Sequence, residues 1–389
     1  MPITLLISQK DHFRRVAYLQ DDQLIDIDLE WPPSNTPFFS SLDQIYWGRV
    51  LRVESTHAFI KLPENTIGLL PFESSFPKPI EGQALLVQVR REAIPDKGTH
   101  HKGALLTRKI TFGGRYCLYH PFQNKRQLSS KIEDVTARNR LQELIAADEP
   151  ITLRESAGRA SSDHILTEIA ALRQKFSEVE TLSGKAPCIT PYDALPPSHR
   201  WIRDLEASDG DVILGDDDKA LIDVRQFLKT HRPDLLPLLQ KHKTPLFEAF
   251  GLEDFWDSLL QDVVILPSGG NIVIDVTAAA IVIDVNQGDE NAAQTNKEAI
   301  SLIVQHLKCR HLGGNIIIDF MGIETSPQER MPLIDLLHKQ AAIYHLPLTI
   351  FGWSKLGWVE ARLPKRRLPL GGSHKELIPV CNQQNLTKT

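Results

Sequence analysis

Two aspartates close apolar runs in the last third of the chain. Asp284 follows Ile-Val-Ile in AIVIDV (Ala280 to Val285), and Asp319 follows Ile-Ile-Ile in GGNIIIDF. Runs of this kind predict buried strands. The segment between them, DENAAQTNKEAISLIVQHLKCRHLGG, opens on Asp289 and Glu290, repeats apolar side chains at Ile300, Ile303, Val304 and Leu307, and stops at Gly313. That spacing, with both end signals, predicts a helix over about 290–311. Strand 280–286, this helix and strand 315–320 then form a βαβ unit with parallel strands and a right-handed crossover. Asp284 and Asp319 fall at the same, carboxyl end of the two strands, outside which ligands bind in open α/β sheets. Carboxylates so placed repel each other at neutral pH, and a hard divalent cation with oxygen ligands relieves the repulsion. Mg²⁺ fits best, with Mn²⁺ the alternative. Either aspartate taken singly reads as the end of a strand entering a turn; the matched pair points to a metal. Asn286, two residues past Asp284, lies on the same side of the strand and can hold that carboxylate by a hydrogen bond. Asp275, in the sister run GGNIVID, reads as structural, at a turn between antiparallel strands.

A second constellation is electrostatic. From Lys97 to Lys131 stand eight Lys or Arg (Lys97, Lys102, Arg108, Lys109, Arg115, Lys125, Arg126, Lys131), three His and no acid. Just before it, from Ile45 to about Thr107, short strand-like runs (IYWGRVLRV, HAFIKL, TIGLLPF, ALLVQVR, ALLT) alternate with Gly, Pro, Asn and Ser, which predicts a small β-barrel or sandwich. Tyr46, Trp47, Phe59 and Phe72 either present ring faces to unpaired bases beside that positive charge or fill the barrel interior. A second basic run, Arg362, Lys365, Arg366 and Arg367, follows the strand-end aspartates. The segment Asp204 to Asp223 is the opposite, with eight acidic residues and one basic one, and cannot face a polyanion without a metal.

The remaining elements must carry these groups. Residues 3–30 alternate as a hairpin would, until Trp31-Pro32-Pro33 breaks the pattern, and 140–147 and 164–176 have helical spacing. At 389 residues the chain allows about two to four domains. Its net charge of −5 averages parts of opposite sign, so it does not exclude a nucleic-acid partner. Four scattered cysteines form neither a C-x-x-C pair nor a disulfide framework. No stretch approaches the ~18 apolar residues of a membrane span or a signal h-region, and the expected location is cytoplasmic.

At this resolution of motif the chain resembles the ribonuclease E/G family, bacterial endoribonucleases that cut single-stranded RNA. LPSGGNIVIDVTAAAIVIDVNQG and HLGGNIIIDF are similar to the family's catalytic strands, and FGWSKLGWVEARLPKRR to the close of its nuclease core. WGRVLRVESTHAFIKLPENTIGLLPF resembles its S1-type barrel, and KGALLTRKITFGGRYCLYHP the approach to its 5′-end sensor. The resemblance implies an α/β multidomain fold: an RNase H-like subdomain split between 1–36 and 196–258, an inserted S1/OB-type barrel at 37–108, a 5′-sensor-like region at 109–195, a DNase I-like catalytic subdomain at 259–370 and a tail at 371–389. It implies that Asp284 and Asp319 bind a catalytic Mg²⁺, that Asn286 orients one of them, and that cleavage leaves 5′-phosphate and 3′-hydroxyl ends. Phe59 and Lys102 match residues that hold RNA on the barrel, and Gly114 and Arg154 match the grip on a 5′-monophosphate. Against the family pattern, Leu69 replaces a barrel aromatic, Glu155 a hydroxyl residue beside Arg154, and Gln287 and Asp289 a small and a basic residue after Asn286; Leu118 supplies the pocket's apolar contact. No C-x-x-C precedes Thr389, so neither zinc nor a zinc-linked dimer is expected, and an oligomer of another kind stays open. The implied function is Mg²⁺-dependent cleavage of single-stranded RNA in processing or decay of rRNA, tRNA or mRNA. Alternatives are an RNA-binding relative with weak or lost cleavage, or a metal site serving DNA.

Overall fold

The computed structural model describes residues 2–10, 13–30, 41–93, 103–183, 188–192, 194–322 and 327–370. The first 30 residues form three antiparallel strands, β1 (Ile3–Lys10), β2 (Phe13–Gln20) and β3 (Gln23–Glu30), one more than the hairpin expected. The extra turn is made by Asp21 and Asp22, both in the left-handed region (φ 49° and 60°) without a glycine to announce it.

The barrel follows as β4 (Ile45–Val53), β5 (His57–Lys61), β6 (Ile67–Pro71), β7 (Ala84–Arg91) and β8 (Ala104–Thr107). Sheet order β4-β5-β6-β8-β7 closes on itself through antiparallel β4–β7 pairing, so no edge is left within this ring. Its interior is mostly aliphatic, with Val50, Ala58, Ile60, Leu70, Val87, Val89 and Leu106 buried together with the Tyr46 ring.

Beyond the barrel a small sheet of β9 (Phe112–Gly113), β10 (Cys117–Tyr119), β11 (Gln127–Leu128) and β12 (Ile151–Leu153) packs with two helices. These are α1 (Val135–Leu144), which begins before the predicted 140–147, and α2 (Ser162–Thr181), capped by the Ser161 hydroxyl. Strand β13 (Ile189–Tyr192) pairs with β4, and α3 (Pro197–Asp204) leads back to the first sheet. There β14 (Val212–Gly215) pairs with β1 in parallel, α4 (Asp218–His231) packs beside it, and β15 (Leu239–Lys241) completes the order β15-β14-β1-β2-β3. The chain thus leaves this sheet after β3 and re-enters it at β14.

Part of the acidic segment 204–223 is spent internally, while Asp204, Glu206, Asp209 and Asp218 are exposed. Asp216 accepts from the Ser8 hydroxyl and the Gln9 amide, Asp217 caps α4, and Asp223 pairs with Arg14. Short helices α5 (Leu246–Ala249) and α6 (Glu253–Leu259) precede the last sheet.

That sheet contains β16 (Val263–Ile265), β17 (Asn271–Val276), β18 (Ala280–Asn286), β19 (Gly314–Asp319), β20 (Thr349–Trp353) and β21 (Val359–Leu363), in the order β16-β17-β18-β19-β21-β20. Between β18 and β19 runs α7 (Ala292–Cys309), capped by Asn291, and after β19 comes α8 (Pro327–Ile343). The predicted βαβ unit is present, with β18 and β19 parallel. Among the described residues no helix is long and apolar enough to cross a membrane.

Candidate active site

Helices α7 and α8 cover one face of the last sheet. Ile281, Ile283 and Val285 of β18 and Ile316 and Ile318 of β19 join Ile300, Ile303, Val304, Leu307 and Leu337 in one core. Because side chains alternate along a strand, Val282, Asp284 and Asn286, and likewise Ile317 and Asp319, turn to the opposite face. This corrects the expectation of strands buried throughout: Asp284 and Asp319 are exposed, on the face that α7 and α8 leave open.

Asp284 stands directly opposite Asp319 in the β18–β19 register. Neighbouring strands run ~4.8 Å apart, so the two carboxylates share one patch of surface at the strands' carboxyl ends. Asn286 Nδ2 donates to Asp284 Oδ2 (3.1 Å) and to Oδ1 of Asn271 (3.2 Å), its register partner on β17. The Asp284 carboxylate is therefore steered from its own strand, and that strand's amide from the next. Asp275 lies on β17 opposite Val282, just before the 277–279 turn, one row removed from the aspartate pair.

Backbone packing fixes the loops beside the pair. A Cβ built on Gly288 would lie 2.1 Å from the Gly270 nitrogen and 2.5 Å from the Ser268 carbonyl oxygen, so glycine is required there by close approach. The Asp289 amide donates to that same Ser268 carbonyl (3.1 Å). On the Asp319 side, buried Asn296 of α7 donates to the Met321 carbonyl (2.9 Å) and accepts from the Met321 amide (3.0 Å). Asn271 and Asn296 had not stood out in the sequence. The repeated Gly-Gly-Asn before each strand was a signal for the first; an amide side chain one turn before Ile300 on the apolar helix stripe was a signal for the second.

Replacing Asn296 by Ala leaves both Met321 backbone groups unpaired two residues after Asp319. If this strand end works as a catalytic site, the maximal cleavage rate of the Asn296→Ala protein is expected to fall about 10–100-fold, the range typical of supporting hydrogen bonds at metal sites. Single-turnover cleavage read beside a thermal melt checks this, since a simple loss of folded protein moves the melt and the active fraction together.

Among the described residues no three His, Cys, Asp or Glu side chains cluster to hold a metal. The donors at the aspartate pair are oxygen only, two carboxylates from adjacent strands, one already tethered by an amide. This set suits Mg²⁺, which keeps several waters and takes one or two carboxylates together with substrate phosphate oxygens.

On the barrel, Phe59 of β5 lies opposite Leu69 of β6, which lies opposite Leu105 of β8; all three are half-buried. They form a short apolar row across three strands, with the His57 ring edge-on to Phe59 (5.2 Å). The other aromatics divide. Tyr46 is buried in the barrel core, and Trp47 donates from its indole nitrogen to the Val179 carbonyl of α2 (3.0 Å). Phe72 is half-buried with the Lys78 ammonium 5.3 Å from its ring centre. Lys102 and Lys97 fall outside the described residues.

The basic stretch is partly structural. Arg126 donates to the carbonyls of Gln142 and Ile145, and Arg115 to the Tyr116 hydroxyl. Of the later basic run Arg367 is drawn inward to pair with buried Asp28, while Arg362, Lys365 and Arg366 are exposed, the backbone carbonyl of Arg366 accepting from the Glu92 amide (2.9 Å).

Gly114 and Arg154 do come together, Arg154 Nη1 donating to the Gly114 carbonyl (2.7 Å). Both face groups of the chain itself. The Glu168 carboxylate accepts from the amides of Arg115, Tyr116 and Cys117 (2.7, 2.7 and 2.9 Å) and fills the space a Gly114 side chain would need. Asp204 accepts a two-pronged contact from Arg154 (2.6 and 3.1 Å) and another from Arg203. Burial alone raises the Asp204 pKa, but the hydrogen bonds from Arg203 and Arg154 outweigh it and hold the carboxyl below its usual range. Glu155 is exposed, 3.9 Å from Lys131, and Leu118 is half-buried on β10.

The ribonuclease E/G family model matches residues 111–365, which include the sheet carrying Asp284 and Asp319. The chain is 28% identical to ribonuclease E of Haemophilus influenzae over 412 aligned residues, covering 96% of this chain and 43% of that protein. It is 28% identical to ribonuclease G of Escherichia coli K12 and 30% identical to ribonuclease G of H. influenzae, in each case over 79% of this chain and 65% of the relative. It thus spans less than half of ribonuclease E and just under two thirds of ribonuclease G. On the extent of that match, the chain belongs to the ribonuclease E/G family.

Proposed function

We propose that the chain is an Mg²⁺-dependent endoribonuclease that cuts single-stranded RNA to 5′-phosphate and 3′-hydroxyl ends, in cytoplasmic processing or decay of rRNA, tRNA or mRNA. The observation that carries this reading is the in-register pair Asp284 and Asp319 at the carboxyl ends of parallel strands, with Asn286 bonded to the first. A bound Mg²⁺, or Mn²⁺ in its place, supplies Lewis-acid polarisation of the phosphodiester and an activated water. The protein's part is to hold the two carboxylates on one exposed patch, fix Asp284 through Asn286 and Asn271, and keep the Asp319 strand end in place through Asn296. Phe59 and Lys102 are assigned to holding RNA on the barrel. Gly114 and Arg154 are assigned to a 5′-phosphate grip that must compete with Glu168 and Asp204. The subdomains proposed are RNase H-like, S1-type, 5′-sensor-like and DNase I-like, in the boundaries given above.

Exposed Asp289 and Glu290, close in sequence to the aspartate pair, favour a second reading, an RNA-binding member with weak or lost cleavage, because they add negative charge beside the phosphate's path. The two separate on 5′-labelled, A/U-rich single-stranded RNA. Cleavage with Mg²⁺, none with EDTA, and ligatable 5′-phosphate ends support the first; a gel shift with no metal-dependent product supports the second. Binding is also expected to weaken with salt, log K falling against log[salt] by about 0.7 for each phosphate contacted. A flat response would remove the basic stretch from the RNA path.

A further inference from the structure

Where the barrel meets the small sheet lies a cavity of about 240 Å³ lined by Ser75, Phe76, Lys109, Ile110, Phe122 and Gln123. We infer that this cavity receives one unpaired base of the RNA strand. The inference rests on RNA being the ligand, as proposed above, but not on cleavage.

Its walls are preformed. The rings of Phe76 and Phe122 stand 5.8 Å apart at 80°, and Phe122 abuts Phe176 of α2 edge-on (5.7 Å, 88°). Phe122 nevertheless keeps 47% of its surface exposed, a large apolar ring held at the mouth of a cavity. The Arg108 guanidinium lies over the Phe76 ring, 4.5 Å from its centre, and donates to the Pro77 carbonyl (2.9 Å). The backbone N–H of Lys109 donates to the Thr107 hydroxyl (3.0 Å), and the backbone N–H of Gln123 to the His120 carbonyl (2.9 Å).

The volume and the chemistry select the guest. Pockets for drug-sized ligands run to ~300–1,000 Å³, so this cavity suits a single ring system. Two rings near a right angle offer a planar guest one face to stack on and one edge to abut. The Gln123 amide and Ser75 hydroxyl add a donor and acceptors for a base rim. Exposed Lys109, with Arg108 beside it, places positive charge where the flanking phosphate must pass, in a stretch without any acid from Lys97 to Lys131. The carboxylate facing Arg108 is Glu73, which accepts from the Thr107 hydroxyl (2.8 Å).

Fluorescence anisotropy in EDTA, with the full chain and a labelled single-stranded RNA, tests binding without requiring turnover. Phe122→Ala is expected to weaken binding about tenfold, and Phe122→Trp, which keeps a stacking face, to bind within about twofold of the parent. Lys109→Ala is expected to lower the salt slope by about one phosphate contact. A 2-aminopurine scanned along the strand should be quenched at one position in the parent and not in Phe122→Ala. Parent-like affinity in both Phe122→Ala and Lys109→Ala would overturn the inference, and so would quenching unchanged by Phe122→Ala. If Phe122→Ala misfolds by circular dichroism, Lys109→Ala and the aminopurine scan of the parent still decide. A parent that binds and is quenched but never cleaves in Mg²⁺ defeats the proposed activity and leaves the base pocket standing.

Discussion

Asp284→Asn is expected to abolish RNA cleavage while leaving RNA binding intact. The substitution keeps the shape of the side chain and the strand register with Asp319, and removes one of the two negative charges on which the proposed cation site rests. The Asn286 amide, which now donates to Asp284 Oδ2, then meets an amide that can turn either its oxygen or its nitrogen toward it. The loss should exceed the about 10–100-fold assigned to supporting hydrogen bonds, because the change falls on a proposed ligand rather than on its support. Single-turnover cleavage at saturating RNA, with anisotropy on the same protein, measures both halves. Asp284 is exposed, so stability should barely change. Full cleavage by Asp284→Asn would show that the site lies elsewhere.

The largest expected effect on stability is at Asp28, far from that pair. Asp28 of β3 is 3% exposed and takes ion pairs from Arg200 (3.3 Å) and Arg367 and a contact from His311 Nε2 (3.2 Å). Two residues earlier, buried Asp26 pairs with Lys308 of α7 (3.0 Å). These contacts fasten the first sheet to the helix that positions β18 and β19, and to the segment after β21. Asp28→Ala leaves two half-buried guanidinium groups without their buried carboxylate, a change that costs about 3 kcal/mol, the low end of the range for breaking a fully buried pair. A urea midpoint shifted down with little change of slope checks it.

The pH dependence has a definite sign. Burial pushes the Asp28 pKa up, but Arg367, His311 and Arg200 outweigh it and hold the carboxyl far below its ordinary range. The unfolded chain therefore binds a proton there more readily than the folded one. The Asp28 contribution is fully present above the unfolded carboxyl value near ~4 and is lost as pH falls below it toward the folded value. Asp26 works in the other direction. Burial raises its pKa more than Lys308 lowers it, so its contribution is present at low pH and fades as pH rises through the folded value. Asp28→Ala should accordingly flatten the acid side of the stability profile, with the Asp26 trend left visible.

How much of this was legible depended on the range of the interaction. The βαβ unit could be read because strand, cap, helix stripe and Gly stop are all local, and the matched Asp284 and Asp319 followed from parallel pairing. The barrel strands could be read from their spacing, but the side each aromatic faces depends on how β4 coils between β5 and β7 to close the ring. Tyr46 went inside and Trp47 to α2 for that reason. Arg367 looked like surface charge in a basic run. Its partner Asp28 is 339 residues away in sequence, and no periodicity announces such a pair. The second turn of the first sheet was missed because two aspartates, not a glycine, adopt its left-handed backbone.

Whether Asp284 and Asp319 act as one site is decided by single-turnover cleavage of the parent, Asp284→Asn, Asp319→Asn and the double variant across a Mg²⁺ titration. Groups that serve one function together are strongly non-additive. Each single variant is expected to lose cleavage to the level of the double one, at every Mg²⁺ concentration. Losses that multiply in the double variant, or a single variant restored to the parent rate by more Mg²⁺ while the other is not, would contradict a single site.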